Sequence, residues 1–189
     1  MRLYAILLAW GAAALAAGAV GAVARSPIPP PVILGALVAA GFLAWSLSAT
    51  VREWVRAVPP RALVALHLVR FVGAWFVVLY RRGELPFAFA VPGGWGDIAA
   101  AAGAAGVLAG AFPPRTRGRR AALYAWNTLG LVDIVFVVTT AARLFFAEPG
   151  QLAPLTRLPL SLLPTFLVPL IVLSHVRIFG WLRETRRQG

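Results

Sequence analysis

The sequence predicts an all-α polytopic membrane bundle of about six transmembrane helices, with short loops and no soluble domain. Two observations carry this. Sixty per cent of the 189 residues are hydrophobic and the mean hydropathy is +0.81, more apolar surface than one soluble core of this length hides. The charges also fall between apolar runs about as long as a bilayer is thick, roughly 20 residues for a helix spanning about 30 Å of hydrocarbon.

The spans are read in order as about 3–24, 32–51, 62–80, 97–112, 121–146 and 164–180. The first ends at Arg25 and the stiff stretch Ser26-Pro27-Ile28-Pro29-Pro30-Pro31. Its end, Ala22-Val23-Ala24, has the small-x-small form of a signal-peptidase site, so a cleaved leader is the competing reading. The apolar run is longer than the 7–15 residues of a leader core, which favours a retained helix. Arg52, Glu53, Arg56 and Arg61 separate the second and third runs, and Arg81, Arg82 and Glu84 follow the third.

Next comes an uncharged stretch with two prolines, Leu85–Pro92, then Gly93-Gly94-Trp95-Gly96-Asp97. It is expected to lie at the outer interface or dip back into the bilayer, with Glu84 and Asp97 as an outer-interface motif and Asp97 capping the short fourth helix. Gly103, Gly106 and Gly110 are expected to let another helix approach closely, the last two at GxxxG spacing. After Pro113-Pro114 and an arginine-rich turn, the fifth run leads to a sixth punctuated by Pro154, Pro159, Pro164 and Pro169. Pro164 can open a helix, but Pro169 must bend it and free a carbonyl near Thr165, which can coordinate a cation or a proton-carrying water or simply be satisfied by a neighbouring hydroxyl.

Loop arginines set the orientation. Arg2, Arg52, Arg56, Arg61, Arg115, Arg117, Arg119, Arg120, Arg183, Arg186 and Arg187 fall on one side, against Arg25, Arg81, Arg82 and Arg157 on the other. The excess puts both termini in the cytoplasm of a bacterial inner membrane. Tyr4, Trp54, Tyr124 and Trp181 near the inner boundary, with Tyr80 and Trp95 near the outer one, agree.

Composition also excludes chemistry. The net charge of +12 is spread over short loops between apolar runs, so nucleic acid is not the expected partner; the expected partners are the lipid bilayer and a homo-oligomer or larger membrane complex. All basic residues are arginine, so no lysine Schiff base can form. There is no cysteine and a single methionine at position 1, so thiolate and thioether metal sites and a thiol nucleophile are absent. No catalytic triad, metal-ligand motif or phosphate loop is present. No catalytic residue, metal or cofactor is expected.

What remains is a set of polar residues inside apolar runs. Asp133 lies twelve residues into the fifth run, roughly 18 Å deep at 1.5 Å per residue, and Arg70 eight residues into the third, roughly 12 Å deep. A carboxylate near the midplane costs about 2.5–3.5 kcal/mol on insertion scales, so it needs a partner, and an Arg70–Asp133 pair is the expectation. His67 and His175 are each five residues from a cytoplasmic boundary, so helices of opposite direction bring them to about the same depth, roughly 8 Å. Asn127 sits at nearly that level, and His67 and Arg70, at i and i+3, share a face.

Three functions fit this layer. It can tie three helices together, in a structural or accessory subunit without transport activity. It can be a proton or small-ion path or sensor, with histidines whose ordinary titration is near neutral and Asp133 as the midplane carrier. It can also hold a b-type haem between His67 and His175.

Three stretches resemble an uncharacterised family of small bacterial multi-pass integral membrane proteins. They are Gly83-Glu84-Leu85-Pro86 running to Pro92-Gly93-Gly94-Trp95-Gly96-Asp97, then Trp126-Asn127 with Gly130 and Asp133, then Pro164-Thr165-Phe166 with Pro169 and His175. The resemblance covers about residues 62–180 and implies that Arg70, Asp97, Asn127, Asp133 and His175 belong to a shared pattern. His67 is not part of that pattern, which counts against the haem. The resemblance supplies a fold and no chemistry.

Overall fold

The structure, a computed structural model, describes residues 2–186. Of the arginines counted in the sequence for an orientation, Arg187 lies outside the described residues, as do the side chains of Arg2 and Arg186. The described residues are helical with no strand: α1 Arg2–Ala19, α2 Ala22–Arg25, α3 Pro30–Leu47, α4 Ala49–Ala57, α5 Pro60–Leu66, a 3-10 turn His67–Val72, α6 Gly73–Arg81, α7 Phe87–Gly110, α8 Arg117–Ala147, a 3-10 segment Pro149–Thr156, a π turn Leu163–Leu167 and α9 Val168–Arg186. Four stretches are long and apolar enough to cross a bilayer: Pro30–Leu47, Pro60–Arg81, Arg117–Ala147 and Leu163–Thr185. Leu3–Ala19 is a shorter apolar helix.

Several boundaries differ from the sequence reading, each for a local reason. The first run breaks at Gly21, whose φ of +67° a side chain would resist. The second stops at Ser48, and Arg52 folds back to donate to the carbonyl of Ser46 at 2.6 Å, covering an open helix end. The stretch expected to be non-helical, Leu85–Pro92, is helical from Phe87 onward. Pro86 precedes α7, and Pro92 sits inside it, where it removes only the bond to the Ala88 carbonyl. Asp97 is therefore not a cap: it lies in the interior of a 24-residue helix.

The chain forms two compact units. The first holds residues 2–57 and Ala141–Leu173. In it, Pro169 has no N–H for the Thr165 carbonyl, and Trp10 Nε1–H donates to that carbonyl at 2.9 Å, with the indole edge-on to Phe166. The bent sixth run thus finds its missing donor on α1. Gly41 lies where any Cβ would meet Leu173, and Gly18 where it would meet Leu158 and Ser161.

The second unit holds Val58–Thr140 and residues 174–186, so α8 and α9 contribute to both. Its apolar core gathers Val64, Ala104, Val107, Ala111, Leu123, Trp126, Ile178 and Leu182. The close helix crossing lies between α6 and α7 at Gly73 and Gly94, each positioned so that a Cβ would strike the other's carbonyl oxygen. The GxxxG pair is different: nothing lies within 4 Å of where Cβ atoms on Gly106 and Gly110 would be, while Gly103 accommodates Trp126. The close approach expected at Gly106 and Gly110 is therefore not made there; the backbone-to-backbone approach lies earlier in the helix, at Gly94.

Candidate functional site

The site grows from an arginine that lipid and core alike would reject. Arg70 is 1% exposed, and the chain resolves this by assigning every guanidinium nitrogen an acceptor. Nε donates to Asp97 Oδ1 at 2.7 Å, Nη1 to the Gly130 carbonyl at 2.9 Å and Nη2 to Asp133 Oδ2. The acceptors come from α7 and α8, so one side chain from the 3-10 turn ties together three segments.

Two glycines make this possible. A Cβ on Gly96 would occupy the place of the Asp133 carboxylate, and a Cβ on Gly130 would stand 2.9 Å from His175 Cε1 and 3.4 Å from Arg70 Nη1. Substitution at either therefore pushes on the cluster itself.

The histidine layer adjoins the arginine. In the 3-10 turn three residues complete one turn, so His67 and Arg70 stand directly above one another. His67 and His175 are fully buried, with ring centroids 4.3 Å apart and planes tilted by 55°. His67 Nε2 is 3.0 Å from Ser174 Oγ, and His175 Nδ1 is 2.8 Å from Asn127 Oδ1. Asn127 Nδ2 donates to the His175 carbonyl at 3.0 Å. Trp126 meets the His67 ring edge-on at 5.0 Å and donates its own N–H to the Ala100 carbonyl, fixing α7 against α8.

His67, Arg70, Asn127, Asp133 and His175 are thus brought together as the sequence suggested. Asp97 joins them instead of standing at an outer interface. Glu84 does not: its side chain is exposed, and its backbone N–H closes the end of α6 by bonding to the Leu79 carbonyl. With Gly83 at φ +74° and its N–H on the Tyr80 carbonyl, this is a Schellman cap, so Gly83-Glu84 is a helix stop. Ser174 and Trp126 were not foreseen. Trp126 carried a signal, since a buried indole needs an acceptor, whereas a serine inside a span carries none.

The pair does not fit a bis-histidine haem. Two nitrogens each about 2 Å from a metal stand about 4 Å apart with both ring bodies beyond them, and a macrocycle must lie between; centroids at 4.3 Å leave no such gap. Among the described residues no group of three or more His, Cys, Asp or Glu side chains is arranged to hold a metal ion.

Electrostatically the cluster sets one guanidinium against two carboxylates. Asp97 has 6% of its side chain exposed and Asp133 19%, so Asp133 is the member with access to its surroundings.

Residues 27–183 match the model of one family, described as a domain of unknown function (DUF8737). No curated protein and no solved structure matches the chain significantly.

Proposed function

We propose, from the premise that this chain belongs to the DUF8737 family of unknown function, that it is a six-helix protein of the bacterial inner membrane, both termini cytoplasmic, whose Arg70 cluster binds and passes a proton or a small monovalent cation. The observation that carries the reading is the charge of the cluster. Asp97 and Asp133 both pair with Arg70, so with both carboxylates ionised the group holds one excess negative charge at a depth where lipid tolerates none cheaply. One further positive charge neutralises it, and a proton on a carboxylate or a monovalent cation beside Asp133 supplies that charge. Arginine asymmetry between the loops supports the orientation. The six-span count adds α1 and α7 to the four long apolar stretches; α7 falls short in hydropathy because it carries Asp97, Pro92 and its glycines.

The test is flux in proteoliposomes loaded with a pH-sensitive dye, under an imposed gradient, with sodium and potassium varied. Wild-type protein is expected to dissipate the gradient, and Asp133→Asn to abolish the effect while the purified protein remains folded. Equal flux from both proteins overturns the reading.

One observation favours a purely structural role. All three guanidinium nitrogens are already engaged, as expected of a tie between helices in an accessory subunit. On that reading Asp133→Asn lowers thermal stability and there is no flux to lose.

A further inference from the structure

The ion path leaves two atoms unexplained. His67 Nδ1 and His175 Nε2 are buried, and neither has a hydrogen-bond partner among the described residues. Leaving a buried polar atom unmatched costs about 1–3 kcal/mol, and here two lie on rings whose centroids are 4.3 Å apart.

The state of one is fixed by its neighbours. Asn127 Nδ2 is committed to the His175 carbonyl, since the reversed amide would set two oxygens against each other. Its Oδ1 therefore faces His175 Nδ1 and must accept from it, so Nδ1 carries the proton. In a neutral imidazole that leaves Nε2 as a bare acceptor. Nearby groups do not serve it. The Gly130 backbone carbonyl faces the His175 ring, but it is an acceptor and has no proton to give a bare nitrogen. The Trp126 N–H is spent on Ala100. His67 has Nε2 engaged with Ser174, which leaves Nδ1 to look elsewhere.

We infer that one water molecule bridges the two unmatched nitrogens, donating to His175 Nε2 and bonded to His67 Nδ1, and that Asn127 is the positioning residue that turns His175 into the acceptor. Water suits the site whichever way His67 is protonated, because it can donate to Nδ1 or accept from it. Buried waters are held in this way, by about three bonds to otherwise unmatched polar atoms. A metal ion suits it less: only two neutral donors are present, and the Arg70 guanidinium lies on the same side of Gly130 as His175. The inference deepens the proposed ion path and rests on it for one point only, that this water is the proton carrier next to the Arg70–Asp97–Asp133 cluster.

The chain has two histidines, so magic-angle-spinning NMR of protein labelled with 15N-histidine, in lipid bilayers at neutral pH, yields one ring spectrum for each. His67→Gln assigns them. The expected result is His175 protonated at Nδ1 and bare at Nε2, with magnetisation passing from water to Nε2 of His175 and Nδ1 of His67. In Asn127→Leu the Nδ1–H preference of His175 should disappear. A wild-type His175 protonated at Nε2, or no transfer from water to either nitrogen, overturns the inference, and the wild-type spectrum decides this even if the leucine variant does not fold. The spectra require no transport. Flux unchanged by Asp133→Asn together with water contact removes the ion path and keeps the water site; the opposite combination removes the water site alone.

Discussion

Arg70 is the residue on which the second unit depends, because its removal leaves the buried Asp97 and the half-buried Asp133 without a counter-charge. Breaking a buried ion pair from one side costs about 3–5 kcal/mol. Arg70→Leu is expected to lose at least that much stability, measured by thermal unfolding in detergent. Adding Asp97→Asn and Asp133→Asn to that variant should recover part of it, since neutral amides need no charge partner. Gly130 shows the same site from its steric side. Its missing Cβ would stand 2.9 Å from His175 Cε1, and overpacking of this kind costs about 1–3 kcal/mol. Gly130→Ala should therefore destabilise the protein and perturb the His175 ring resonances together. Much of this was legible residue by residue. A carboxylate and a guanidinium inside apolar runs must meet, and Asp133 and Arg70 do. Asp97 obeys the same rule, but its place at the presumed start of a span offered a cheaper explanation, an exposed helix cap, and that explanation hid the ion pair.

At the scale of elements, the glycines of α7 divide into two groups with opposite expectations. Gly94 packs against the backbone of Gly73, so a methyl there meets a carbonyl oxygen that cannot move without shifting α6. Gly94→Ala should lower the melting temperature by several degrees, at about 2–4 °C for each kcal/mol in a chain of this size. Gly106 has open space where its Cβ would be, and alanine is about 0.8–1 kcal/mol the better helix former. Gly106→Ala should leave stability unchanged or raise it. Spacing within one helix cannot tell these glycines apart, because what distinguishes them is the identity of the neighbour. The sixth run was easier to read. A proline in a helix must leave a carbonyl four residues earlier, and the indole of Trp10 answers the one at Thr165. The expected effect of Trp10→Phe is small, about 0.6 kcal/mol for a hydrogen bond between membrane helices. It should vanish in a Pro169→Ala background, where the helix supplies its own donor; a thermal double-mutant cycle measures the difference.

For the molecule as a whole, the arginine asymmetry predicts which loops face which compartment. The chain contains no cysteine, so single cysteines introduced at Gly83 and Gly118 report on an empty background. A membrane-impermeant maleimide added to intact spheroplasts should label Gly83→Cys and leave Gly118→Cys unlabelled until the membrane is opened. The reverse pattern would invert the topology. By itself the sequence determined the class of the protein, an all-helical chain with stretches long and apolar enough to cross a bilayer, and it determined that its buried charges must find one another. Both follow from the cost of placing apolar groups in water and charges in oil, and that cost depends only on residue type and run length. Which carboxylates meet Arg70, which glycines let helices touch and which histidine nitrogens are left unmatched were decided by tertiary structure alone. Those outcomes depend on the rotation and register of helices far apart in the chain, and a step of one residue along an α-helix turns a side chain by about 100°.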